Sequence, residues 1–170
     1  MTTNSVSPVS AEDFCAAMRQ VVSPVTIITT DGPAGRFGKT VSAVMSLSAE
    51  PPSVLVSVYA DCDSARAIRR NGCFCVNVLS GTQQDMSDAF AGRGGFDQAG
   101  RFALGRWLGL ETGAPALEDA ATVMDCRLAG EQGFGTHAMF TGLILATRIA
   151  AVTPLAYHDR AYADPQRRAA

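Results

Sequence analysis

The chain has 170 residues, a length that fits one domain spanning 1–170. Close to half of them are hydrophobic, enough for one sizeable core, and no run approaches the roughly 20 apolar residues that cross a bilayer. A net charge of -2, with no block of like charges, argues against nucleic acid as the main partner.

In chain order, Met1 to Ser10 is polar and lacks the basic start and apolar centre of a signal peptide, so a soluble, cytoplasmic protein is expected. Ser10-Ala11-Glu12-Asp13 reads as a capping box opening a helix, with Phe14, Met18, Val21 and Val22 on one core-facing stripe. Val25 to Thr30 is rich in β-branched residues and predicts a strand. Asp31-Gly32-Pro33-Ala34-Gly35 is turn chemistry. Val41 to Ser48 and Val54 to Tyr59 predict further strands, separated by Pro51-Pro52.

A helix from about Ser64 to Asn71 should stop at Gly72, followed by a strand over Cys73 to Leu79 and a second helix over Gln83 to Ala91. A flexible loop is expected from Arg93 to Phe102. Ala121 to Leu128 and Ala138 to Ala151 are strand-like, and Leu155 to Tyr157 adds a short strand. Flexible tails are expected at 1–10 and 164–170. Many strands, few helices and little alternation between them point to a barrel or sandwich rather than a doubly wound sheet.

Five cysteines (Cys15, Cys62, Cys73, Cys75 and Cys126) make an odd, scattered set, which fits reduced thiols better than a disulfide framework. Cys73 and Cys75 are the close pair, and in a strand both fall on one face. The two histidines stand at no metal-ligand spacing to them, so no metal is expected.

The glycine-rich turn admits two readings. Gly38-Lys39-Thr40 matches the end of the phosphate-binding G-x-x-x-x-G-K-[ST] loop, with Val25 to Thr30 as the preceding strand. The position of the opening glycine is Pro33, however, and the residues after Lys39 make a poor helix where a phosphate loop requires a helix N-terminus. In the second reading, Thr40, Ser42, Ser46 and Ser48 form a strand-and-loop wall of hydroxyls and amides around a flavin, and Lys39, the sole lysine, supplies positive charge. Spacing alone leaves open a third possibility, hydroxyls that merely decorate a half-exposed strand.

The order of several segments resembles the short flavin reductases with an FMN-binding split barrel. These segments are Val25 to Thr30, Thr40-Val41-Ser42-Ala43, Ser46-Leu47-Ser48 with Pro51-Pro52, and Phe74 to Leu79. They continue with Arg101-Phe102 and Trp107, Gly135-Thr136-His137, and Tyr157-His158-Asp159-Arg160-Ala161-Tyr162. The likeness is greatest to reductases serving 4-hydroxyphenylacetate, chlorophenol and pyrimidine-ring monooxygenases. It departs from many of them at Pro24, where glycine is common, and at Lys39, where an apolar residue is common.

The resemblance implies a six-stranded antiparallel Greek-key split barrel with a few helices, assembled as a homodimer. It implies FAD or FMN, reduced by NADH in preference to NADPH, and a separate flavin-dependent oxygenase that takes the reduced flavin. It places Lys39, Thr40, Val41, Ser42 and Ala43 on one wall of the flavin site. Ser57, Val58, Tyr59, Ala60, Asp61 and Ser64 form the second wall, with Ser64 near the ribityl phosphate. Arg101 and Phe102 are expected over the flavin tail or an adenine. His137, with His158, Arg160 and Tyr162, is expected on the nicotinamide side. A tightly binding flavin carrier without turnover is the alternative from the binding class.

Overall fold

The computed structural model describes residues 7–166, so the expected chain-end flexibility falls largely outside that span. Among the described residues the order is α1 (Ala11–Arg19), β1 (Ser23–Pro24), β2 (Thr26–Thr30), β3 (Phe37–Val41), β4 (Val44–Ala49), β5 (Pro52–Tyr59), α2 (Asp63–Asn71) and β6 (Cys73–Val78). There follow α3 (Gln84–Phe90), α4 (Gln98–Phe102), β7 (Trp107–Gly109), β8 (Pro115–Leu117), β9 (Thr122–Phe134), β10 (His137–Ile149), β11 (Ala156–His158) and β12 (Ala161–Ala163).

Seven strands form one antiparallel sheet in the order β3-β2-β6-β9-β10-β5-β4. The mainly-β class expected from the sequence holds, with one more strand than the six foreseen. The extra strand arises because the run read as continuous from Val41 to Ser48 breaks at Ser42–Ala43, giving β3 and β4. Both edges of the sheet, through Val41 and Val44, pack on the same apolar cluster, so the sheet is rolled with its edges brought together at that break.

Two cores lie on opposite faces of the central strands. Ile28, Val56, Val58, Phe74, Val76 and Phe140 fill the interior of the roll. Ile27, Cys73, Cys75, Phe90, Phe102 and Leu117 fill a layer between the sheet and the α3, α4 and β7–β8 segments. The period-two alternation of a strand explains the division, since Ile27 and Ile28, or Phe74 and Cys75, point to opposite faces. Gly72 ends α2 in the left-handed conformation at φ 70°, which costs a residue without Cβ little.

Asn77 joins the layers. It is fully buried, donates from Nδ2 to Ile27 O at 3.0 Å and Thr29 Oγ1 at 3.1 Å, and accepts from Leu117 N–H at 2.7 Å. One amide thereby ties β2 and β6 to the β7–β8 hairpin, an element the sequence reading did not foresee.

Two further expectations are corrected. Ser10 caps α1 as foreseen, its Oγ accepting from Asp13 N–H at 3.0 Å, but the apolar stripe does not face the core. Phe14, Met18 and Val22 are 56%, 48% and 64% exposed, because both cores are already filled from the sheet and the other helices. The loop expected from Arg93 to Phe102 instead closes with α4, where Asp97 Oδ1 accepts from Gly100 N–H at 2.7 Å.

Gly38 in β3 sets how closely that strand approaches the aromatic layer: a Cβ there would sit 2.5 Å from Phe90 Cε1 and 3.2 Å from Phe102 Cζ. Gly38→Ala should therefore destabilise the protein by about 1–3 kcal/mol through overpacking, measured as a lowered midpoint in chemical denaturation.

Candidate functional site

The break that divides β3 from β4 is where the predicted flavin walls meet. Ala43 O accepts from Ser57 N–H at 2.9 Å, so the two predicted walls touch at that point. β3 pairs with β2 and forms one edge of the sheet, while Val58 and Tyr59 continue past Ser57, the last β5 residue bonded on that side. Strand edges that no other strand covers thus border the break on both sides, although Gln98 already holds Gly38 N–H and O on the β3 side. A flat ligand with donors and acceptors along its rim, as isoalloxazine is, fits that chemistry.

Alternation splits the first wall in two. Lys39 pairs with Ile28 and Thr40 with Ile27, so these neighbours point to opposite faces. Thr40 Oγ1 donates to Ser87 O at 2.7 Å, on the α3 side, whereas Val41 packs on the interior of the roll. Ser42 and Ala43 are exposed at the bridge. Lys39 lies inside a strand with no helix after it, which overturns the phosphate-loop reading.

On the second wall, Val58 is a core residue, Ser57 and Ala60 are half-buried, and Tyr59 and Asp61 are exposed. Ser64 is buried in the first turn of α2. That turn also carries Asp63, which is held by Arg66, and Arg66 bonds Asp61 O as well. An anion approaching this helix start therefore meets two carboxylates offset by one guanidinium.

His137 opens β10 directly opposite Tyr59 on β5, and their rings meet edge-on with centroids 6.1 Å apart. Its Nδ1 lies 3.0 Å from Thr136 Oγ1, and Nε2 makes no hydrogen bond among the described residues. The histidine is exposed, so it can meet a ligand rather than serve packing.

Beside the first wall, a cleft of about 270 Å3 is lined by Thr40, Val41 and Ser42 together with Asp88, Arg93 and Tyr162. Tyr162 Oη donates to Asp88 Oδ1 at 2.5 Å, and Arg93 Nη1 donates to the same oxygen at 2.8 Å. Burial, then the bond to Asp88, pushes the Tyr162 hydroxyl above its ordinary pKa. No second-wall residue lines this cleft. A wider groove of about 1310 Å3, between Ser80–Thr82 and Ala150–Pro154, holds none of the predicted site residues.

The C-terminal segment does not act as a unit. Tyr157 and Tyr162 are cross-strand partners on the cleft side, while His158 and Ala161 alternate to the other face of the β11–β12 hairpin. Arg160 sits at the exposed tip, where Asp159 and Arg160 both have positive φ, 45° and 66°. Phe102, expected over a ligand, is instead buried against Phe90 and Trp107, with ring centroids 5.2 and 5.0 Å away. Arg101 is half-buried in α4, and its Nε donates to Phe96 O at 3.2 Å.

Asp88 and Arg93 were not singled out by sequence reasoning, and Tyr157 entered as part of the 157–162 segment without a site role. No local pattern marks them, because the cleft forms only when α3 and the β11–β12 hairpin close on β3.

Comparison with known proteins agrees with this architecture. A model of the flavin reductase like domain matches residues 18–166. An FMN reductase (NADH) RutF of Variovorax paradoxus strain S110 is 43% identical over 169 residues, covering 95% of this chain and 93% of that protein. Among solved structures, the flavin reductase PheA2 superposes with a TM-score of 0.83 at 28% identity, covering 94% of this chain and 100% of that one. BorF, the flavin reductase component of a bacterial two-component tryptophan halogenase, gives 0.84 at 26% identity, covering 93% and 100%. The chain belongs to the flavin reductase family.

The thiols stand apart from this site. Cys73, Cys75 and Cys126 are buried, Cys62 is half-buried and Cys15 is exposed. Burial, reinforced by the Asp125 carboxylate, pushes the Cys126 thiol up to about 12 and raises Cys75 as well. Because the thiolate is the reactive form, both stay protonated and inert at neutral pH. A thiol-reagent titration of the folded protein near neutral pH should label Cys15 first and leave Cys75 and Cys126 unlabelled until denaturant is added.

Proposed function

We propose that the chain is an NADH-dependent flavin reductase that binds FMN or FAD and hands the reduced flavin to a separate flavin-dependent aromatic monooxygenase. The observation that carries this reading is the break in the sheet at Ser42–Ala43. Within a family member, it brings residues 39–43 and 57–64 to one place and borders them with uncovered strand edges. The named activity of the Variovorax relative supports FMN and NADH, and the role of BorF supports a partner oxygenase.

Flavin held by residues 39–43 and 57–64 would supply the acceptor for a hydride from the nicotinamide. The protein's task is to hold two flat rings at about 3–3.5 Å and to keep water from between them. Ser42 and the edge amides offer donors to the flavin rim, and Lys39 offers positive charge. His137, exposed and with Nε2 unbonded among the described residues, would orient the nicotinamide through that nitrogen. Asp88 and Arg93 give the neighbouring cleft a carboxylate for ribose hydroxyls and a cation for phosphate.

A homodimer completes the reading. The exposed stripe of Phe14, Met18 and Val22, with Phe134 and Ile149 each 81% exposed, offers apolar surface for a second copy to cover. Light scattering should return a mass near twice 17.8 kDa, and Phe14→Glu should shift it towards the monomer.

The central test is NADH oxidation with and without added FMN or FAD. Consumption that depends on free flavin is expected, and its absence would refute the enzyme reading. His137→Ala should lower kcat/KM for NADH by about tenfold while flavin binding persists; unchanged kinetics would remove His137 from the nicotinamide site.

A further inference from the structure

We infer that Arg69 is a positioning residue for the proposed reductase, its guanidinium locking the Ala60 turn to the hairpin that carries His137. Arg69 lies in the last turn of α2, and its Nη1 donates to Ala60 O at 3.0 Å. Its Nε donates to Glu131 Oε1 and Oε2 at 2.9 and 3.1 Å, and Nη2 to Oε1 at 2.7 Å. Glu131 stands on β9 opposite Phe140, and the guanidinium lies 5.5 Å over the Phe140 ring.

The Ala60 peptide is thus held from both sides. Its N–H donates to Thr136 O at 3.0 Å, next to His137, and its carbonyl accepts from Arg69. A single planar fork therefore connects α2, the end of β5 and the β9–β10 hairpin. The two features expected to face flavin and nicotinamide share this support. Arg66, the other cation of the turn, is already engaged by Asp63 and Asp61 O. A lysine could reach one of these partners but lacks the fork that joins both.

Arg69 and Glu131 side chains are 34% and 33% exposed, so solvent screens the pair in part, while its bidentate geometry leaves it some worth for global stability. Breaking it acts on ligand geometry as well, where small displacements are costly, so melting is followed beside binding. The inference rests on the flavin-reductase reading, and the test separates the two.

Flavin affinity is measured directly, by fluorescence quenching of added FMN, alongside melting curves and NADH kinetics. Arg69→Met should weaken flavin binding about tenfold, the loss expected for charge-assisted bonds, and Arg69→Lys should recover only part. The Arg69→Met/Glu131→Gln double variant should bind no more weakly than Arg69→Met, because the two residues act as a unit. kcat/KM for NADH should fall as well, because the same fork supports the hairpin that carries His137. Glu131→Gln, which keeps the Arg69–Ala60 bond, should fall between wild type and Arg69→Met and serves as the test if Arg69→Met does not fold.

Wild-type affinity in Arg69→Met, full rescue by lysine, or a loss of binding that merely tracks lowered melting would overturn the clamp alone. A wild-type protein that binds no flavin would overturn the reductase reading, and the clamp with it.

Discussion

A buried amide has to satisfy its donors and its acceptor inside the protein, and Asn77 does so by holding three elements at once. Its bonds to Ile27 O, Thr29 Oγ1 and Leu117 N–H bring β2, β6 and the β7–β8 hairpin into one arrangement. Leaving such groups unpaired in a low-dielectric interior is costly, so alternative packings of these elements are disfavoured. Thr29 and Asp125 extend the same solution, each anchoring a backbone or hydroxyl group of the 112–115 loop.

The edges of the sheet are where the chemistry gathers. The roll closes through a two-residue bridge and one backbone bond, leaving strand margins that no other strand covers. The proposed site is therefore made of backbone and short hydroxyl side chains more than of acids and bases. That suits a reaction whose difficult step belongs to the bound rings. Lys39 stands in this margin, and the other charged groups stand around it. Asp88 and Arg93 border the cleft, and Arg69 and Glu131 support the opposite flank.

Much of this was legible in the chain because local signals and the fold agree. The Ser10 cap, the Gly72 stop and the β-branched run at Val25 to Thr30 each depend on nearest neighbours and reappear as read. The break at Ser42 was not legible, since Val41 to Ser48 alternates as one strand and only the closing of the roll interrupts it. The stripe of Phe14, Met18 and Val22 has helical spacing whether it faces a core or a second molecule, so periodicity could not distinguish them. Phe102 illustrates the reverse limit: the family likeness placed it near a ligand, while Phe90 and Trp107 enclose it. The cleft residues are remote from one another in sequence and meet only through tertiary packing.

The double-sided burial of β6 has a consequence for how this protein reaches its fold. A strand with one wet face finds its alignment by hiding oil from water, but β6 has no wet face. Its partners are instead sorted by bulk: small Cys73, Cys75 and Asn77 lie towards the helical layer, and larger Phe74 and Val76 towards the interior of the roll. Sliding the strand by a single position would drive the Phe74 ring into the thin layer and strand the Asn77 amide among hydrocarbon. Steric volume, with Asn77 as the polar checkpoint of this strand, is what selects the correct alignment at the middle of the sheet.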